Sequence, residues 1–293
     1  MASIAKSTLF PADLVNQMFS KVTGHSSIAK LSAQKPLSFA GNEVMVFSLD
    51  NEVSIVGEGA AKPAGDGTVS AVTIVPVKVV YQARVNDEFI YAADEKRVEY
   101  LEAFADGFSK KIARGLDIMA FHGINPAAGT TSSLIGTNSF DTCTAVDSYV
   151  YTAAETDLTA AIAGIDGDVN GIALSKSFAV SLAATTLAGG QRPYEEFMWG
   201  GNPGAIRGIA CDVNDTVSVS ASTATADCAI IGDFQNAFRW GFSKNVPLEV
   251  IEYGNPDGGT YDLKQANQVL LRAEAYVGWG ILNPDAFARV KTA

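Results

Sequence analysis

Between residues 93 and 123 an apolar side chain recurs every three or four positions: Val98, Leu101, Ala105, Phe108, Ile112, Leu116 and Met119, with Glu, Lys and Arg between them. That spacing marks one face of a 3.6-residue helix, so the segment predicts a single long α-helix. Asp94 stands where an N-cap belongs, and Gly123 where a left-handed residue ends a helix. At about 1.5 Å per residue the rod is roughly 40 Å long. Gly107 and Gly115 weaken it locally and leave room for a bend.

Ahead of this helix the period changes to two. In "EVMVFSL" (43–49), Val44, Val46 and Ser48 alternate with Met45, Phe47 and Leu49, and in "TVSAVTIVPVKVVYQARV" (68–85) both faces are again apolar at the centre. Both runs predict strands. The intervening "DNEVSIVGEGAAKPAGDG" follows neither period, and a stretch of that length predicts a hairpin-like excursion away from the body. Near the N-terminus Leu14, Val15, Met18, Phe19 and Val22 form one apolar stripe behind Pro11, ahead of polar "SAQKPLS". A short helix this greasy needs a surface, either its own core or a neighbouring subunit.

Beyond residue 126 the elements shorten. Helices are predicted at 155–165 and at 176–186, the latter capped by Ser175, with strands at 170–175, 205–213, 227–234 and 237–243. The runs 248–253 and 267–282 read as a strand pair around "GNPDGGTYD". Helices and strands are interleaved without βαβ repetition, and no tandem repeat is visible, so the fold class is α+β.

Composition narrows the function. Of 293 residues 47% are apolar and 18% charged, enough for a large ordered core. With 21 basic against 32 acidic residues the net charge is −11, which repels phosphate and anionic membranes and argues against nucleic-acid binding. No window of about 18 apolar residues exists, and "MASIAKSTLFPADL" is interrupted by Lys6 and Pro11, so neither a membrane span nor a signal peptide is expected. Cys143, Cys211 and Cys228, odd in number and widely spaced, suit a reducing compartment and cytosolic synthesis.

Candidate chemistry is sparse. Asp166, Asp168, Asn170 and Gly171 match the first half of a calcium loop, but Ser177 stands where the bidentate glutamate must be, and an apolar strand follows instead of a helix. A polar turn is the expected reading. His25 and His122 are the only histidines, neither with a partner at ligand spacing; His122 is expected to complement the dipole at the end of the long helix. No G-x-S-x-G occurs, "GEGAAK" (57–62) has the wrong glycine spacing for a nucleotide loop, and Glu195-Glu196 are adjacent rather than facing. No enzyme, cofactor or metal is expected.

The C-terminal third supplies a family. Gly232-Asp233-Phe234, then Phe238 and Trp240, then Arg272 and Glu274, then Pro284-Asp285-Ala286-Phe287 follow one another in the order found at the end of tailed-phage major capsid proteins. Upstream, Asp117, Ala120 and Gly123 resemble that family's D-x-x-A-x-x-G ending of its spine helix. "GIALSKSFAVSL" resembles its strand-to-helix step, and "IRGIACDV" a later strand in which Ala210 replaces a proline. The chain from about residue 35 onward resembles this family throughout.

The resemblance implies the Hong Kong 97-type capsid fold: an N-terminal arm (1–42), an extended β loop (43–77), a peripheral domain with a long spine helix (78–125 and 244–277) and an axial domain (126–243 and 278–293). It implies a self-assembling subunit of pentamers and hexamers in an icosahedral phage head around double-stranded DNA. Partners would be copies of itself, with scaffolding, portal and decoration proteins as further candidates, and the place of action the virion after assembly in the host cytoplasm. Phe10, Leu14, Met18 and Phe19 on the arm, with Glu58 and Lys62 on the loop, are the expected interface residues. Met1 stands directly before the arm, so the scaffold is expected to be a separate protein or absent. Lys62 lies in the loop from which some relatives crosslink, but no partner asparagine or activating glutamate is identified, and it reads as an ordinary interfacial charge. Two alternatives remain: an encapsulin-like compartment shell, and a calcium-dependent binding module resting on residues 166–171.

Overall fold

The computed structural model describes residues 25–49, 53–65, 67–88, 94–187, 189–220, 226–245 and 248–292. The first described element is a single helical turn, α1 (Ser27–Leu31), capped by Ser26, whose Oγ accepts from the Ala29 amide at 3.1 Å. Ile28 and Leu31 are buried. The chain then runs beside residues 240–242, with the Lys35 amide donating to the Trp240 carbonyl at 2.9 Å. Residues 26–37, expected within the arm, are thus docked on the body, because Ile28, Leu31 and Leu37 supply apolar anchors that a polar-looking stretch conceals.

This docking depends on a missing side chain. A Cβ on Gly241 would stand 1.8 Å from the Lys35 carbonyl oxygen, a backbone atom that cannot swing away. Gly241→Ala is therefore expected to cost about 3 kcal/mol in denaturant unfolding, by prising residues 34–37 off their strand. A variant within about 0.5 kcal/mol of the parent contradicts that packing.

Two strands follow, β1 (Asn42–Leu49) and β2 (Gly67–Ile74), paired antiparallel from Asn42↔Ile74 to Leu49↔Gly67. The next strand, β3 (Val77–Asn86), joins a different sheet. The single apolar run at 68–85 therefore divides into two strands. Pro76, with no amide hydrogen to give a ladder, lies between the two strands and marks the break. The long helix is found as α2 (Asp94–His122), and Gly123 ends it at φ 65°, its amide donating to Met119 O at 2.9 Å. A two-residue ladder, β4 (Ile124–Asn125) with β5 (Thr130–Thr131), comes next.

The remainder supplies β6 (Asp147–Val150), α3 (Ala154–Gly164), β7 (Gly171–Leu174), α4 (Lys176–Ala184), β8 (Ala205–Ile206), β9 (Ile209–Val213), β10 (Asp227–Gly232), β11 (Phe238–Asn245), β12 (Glu249–Ile251), β13 (Gln268–Ile281) and β14 (Phe287–Lys291). Ser175 caps α4 as expected, its Oγ accepting from the Phe178 amide. The run read as one strand at 205–213 is a hairpin turned by Arg207 and Gly208, at φ 49° and 91°.

One sheet has the order β6-β14-β10-β7-β9-β8, with β14–β6 and β7–β9 parallel. In the other, the long β13 pairs with β3 along one edge and with β11 and β12 along the opposite edge. The six-stranded sheet is buried on both faces, as its unbroken apolar strands require. Ile172, Leu174, Ala229, Ile231, Ala288 and Val290 pack with α3 and α4. Ala173, Ile230 and Phe287 face the larger core, where α2 meets β13. At its centre Phe140 lies 5.0 Å from Phe287 and 5.8 Å from Phe238 between ring centroids.

Candidate assembly surface

The β1–β2 hairpin has an apolar face on which nothing packs among the described residues. Register puts Met45 opposite Ala71 and Phe47 opposite Val69, and cross-strand partners share a face. Met45 is 74% exposed, and Phe47 and Val69 are each 62% exposed. Only the base is tied down, where Ile74 is buried against Gly278 and Gly280 of β13. Residues 53–65 carry no regular structure, and Val53 and Ile55 are essentially bare. A two-stranded ribbon is marginal by itself in water and gains from a surface that covers it. Glu58 and Lys62 both lie exposed in this segment, among the residues that such a cover would meet. Phe10, Leu14, Met18 and Phe19 lie outside the described residues.

The first described residues are held to the body by buried polar groups. Asp117 of α2 accepts from Ser26 Oγ at 2.5 Å, Ser27 N at 2.9 Å, Ile28 N at 3.2 Å and Thr216 Oγ1 at 3.0 Å. Asp212 accepts from Ser27 Oγ and Lys30 Nζ, both at 2.6 Å, and from Asn202. The aspartate of the D-x-x-A-x-x-G motif therefore fastens α1 to α2. Burial pushes Asp117 up to about 6 despite these donors, whereas at Asp212 the hydrogen bond from Lys30 leads a set that outweighs burial and holds it low.

The sign follows from linkage. Asp117 holds its proton more tightly folded than unfolded, so stability falls as pH rises between its ordinary value of 3.8 and about 6. Taken from about pH 7 to about pH 5, the wild type should gain about 1 kcal/mol relative to Asp117→Asn, read by denaturant melts at each pH. Parallel pH profiles for the two proteins contradict this assignment.

His122 is the last residue of α2, and its ring is fully buried, Nε2 at 2.8 Å from the Thr216 carbonyl and Nδ1 at 3.0 Å from Asp141 Oδ2. Asp227 lies beside it, and the ligand-type atoms of all three residues fall within 4.8 Å of one another. The Arg289 guanidinium bonds Asp141 and reaches Asp227 at 3.4 Å, so a cation already sits among these carboxylates. Burial and the neighbouring Asp141 charge raise Asp227 well above the usual range. Burial also pushes Asp141 upward, but the His122 hydrogen bond and Arg289 pull it below its ordinary value. The four residues form a buried hydrogen-bonded junction joining the end of α2 to β10 and β14. Sequence reasoning missed it because 19 and 105 residues separate His122 from the two aspartates.

Of the half calcium loop, Asp166 and Asp168 are exposed and Asn170 is used in the fold. Asn170 donates to Asp233 and accepts from the Phe234 amide at 2.9 Å, bracing the Gly232-Asp233-Phe234 turn against β7. Glu195 and Glu196 are exposed side by side on a 3₁₀ turn. The Cys211 and Cys228 thiols, raised by burial to about 11, stay protonated. Among the described residues no helix is long and apolar enough to cross a membrane.

An α+β body with an apolar ribbon standing off it, and a buried core that takes in the aromatic landmarks Phe234, Phe238, Trp240 and Phe287, defines the class: a subunit of a protein shell. The phage capsid family matches residues 7–292, and the chain belongs to that family. A solved chain from Mycobacterium phage Ogopogo is 32% identical, with 92% of each chain covered and a TM-score of 0.75. One from Gordonia phage Cozz is 25% identical over 92% of this chain and 87% of that one, with a TM-score of 0.73. The capsid of a GTA particle computed with C5 symmetry shares the fold at 14% identity and a TM-score of 0.62, covering 92% of this chain and 90% of its own. No curated protein matches the sequence. The protein is a major capsid protein of a phage head, a structural component of the virion built from many copies, and the α+β capsid fold expected of the sequence is the fold it has.

Proposed function

We propose that the chain assembles as pentamers and hexamers into an icosahedral head around double-stranded DNA, and that its role is purely structural. The observation that carries this reading is the bare apolar face of Met45, Phe47 and Val69, which no part of the described chain covers. Exposed greasy surface of this kind costs the free subunit solubility and gains only when a neighbour buries it. Residues 1–42 then act as arm and anchor, with Phe10, Leu14, Met18 and Phe19 reaching a neighbour, and 43–77 as the extended loop presenting Glu58 and Lys62.

The peripheral domain (78–125 and 244–277) holds α2, and the axial domain (126–243 and 278–293) holds the six-stranded sheet. Strands β11 and β13 cross both boundaries and join the two domains through a shared ladder. A net charge of −11 means that the shell encloses DNA without gripping it, so that packaging falls to a portal-based motor. Scaffolding and decoration proteins are compatible partners, and assembly takes place in the host cytoplasm. Electron microscopy of the purified chain at rising concentration tests the reading. Closed particles with fivefold and sixfold capsomers are expected, and a chain that stays monomeric throughout contradicts it.

A further inference from the structure

One exposed side chain is held in a conformation that its own subunit gains nothing from. Trp199 is 97% exposed, yet its backbone sits at φ 60° and ψ 21°, the left-handed region that a bulky residue avoids. Such strain costs of order 1–3 kcal/mol and persists only where the surroundings impose it.

Here they do. Phe197 is wholly buried in the second core with Tyr194, whose ring is covered by the Arg207 guanidinium at 5.2 Å. The Gly201 amide returns to the Met198 carbonyl at 3.2 Å, and a Cβ on Gly201 would stand 2.2 Å from the Glu196 carbonyl oxygen, so the turn closes too tightly to relax. The indole is thereby presented rigidly on the tip of the 195–201 turn, which packs on α4, where Val180 is also exposed. A large, pre-ordered aromatic loses little freedom on binding and is the residue type richest in interface hot spots.

We infer that Trp199 is an assembly anchor, inserted into a second copy of this chain in the shell. The inference rests on the shell reading and goes beyond it by naming the residue and its partner. A second copy is the occupant because the head is built of copies that present this turn identically, and a repeated anchor closes a ring through contacts of one kind. Nucleic acid is disfavoured, since the neighbouring exposed Glu195 and Glu196 would repel phosphate.

The chain carries its own probe. Of its three tryptophans, Trp240 and Trp279 are buried at 0% and 1% exposure, so collisional quenching by acrylamide reports Trp199. In shells assembled from the purified chain alone, with no other protein to cover the indole, quenching should fall severalfold relative to free subunits. Trp199→Gly should leave the free subunit as stable as the wild type or more so, because glycine relieves the positive φ. It should also raise the concentration needed for assembly by about thirtyfold or more, with Trp199→Phe between the two. Shells that form normally while Trp199 stays as quenchable as in the free subunit overturn the inference and leave the shell reading intact. So does a Trp199→Gly protein that assembles like the wild type, or one whose free subunit is destabilised, since the indole would then serve its own fold. Absence of particles under all conditions overturns both.

Discussion

Replacing Met45 and Phe47 together by serine leaves the subunit folded and stops it from joining a shell. Both side chains already face solvent in the single chain, so their removal takes no contact from the core and the unfolding midpoint stays put. Between subunits the balance differs. Burying a Met and a Phe is worth about 4 kcal/mol together, which is about a thousandfold in the subunit concentration at which particles appear. Because each copy contributes the same ribbon, the loss recurs at every contact and the effect on closed particles is all-or-none. Sedimentation of the variant at concentrations where the wild type forms particles reads the outcome directly. Particles of normal yield mean that the hairpin is not an assembly element.

Asp117→Ala produces the opposite pattern, a damaged subunit. The substitution strands Ser26 Oγ, the Ser27 and Ile28 amides and Thr216 Oγ1, all of which donate to this carboxylate from buried positions. At about 1–3 kcal/mol for each unsatisfied buried donor, offset by relief of a desolvated charge, the expected net loss is about 4 kcal/mol. Asp117→Asn keeps one acceptor oxygen and no charge, and should lose less than half as much. The two variants compared by chemical denaturation separate lost hydrogen bonds from lost charge. Equal losses would show that the charge itself holds α1 in place.

The parts of this molecule that could be read in advance are those governed by local pattern. Helix α2 was legible because seven apolar positions keep step over its length, and Ser175 and Gly123 end their helices by side-chain chemistry and backbone handedness that sequence displays. Phe234, Phe238, Trp240 and Phe287 were read as family landmarks, and all four prove to be core residues. What the pattern hid depends on distant partners. The docking of 26–37 is decided by Gly241 and Asp117, and nothing near Ile28 announces either. Pro76 was visible, but that β2 and β3 belong to different sheets is a property of β13, which takes β3 as its neighbour. The junction of His122, Asp141, Asp227 and Arg289 draws on four separated stretches. The strain at Trp199 is invisible without backbone angles, since "EEFMWGG" reads as an ordinary exposed turn.

Hydrogen exchange across residues 43–49 and 67–74, compared between free subunits and assembled particles, bears most directly on the claim that this ribbon is completed by another copy. A lone two-stranded hairpin opens readily, so its amides should exchange fast in the subunit and become strongly protected in the shell. Equal exchange in both states would mean that the apolar face stays bare, and that something other than this ribbon holds the head together.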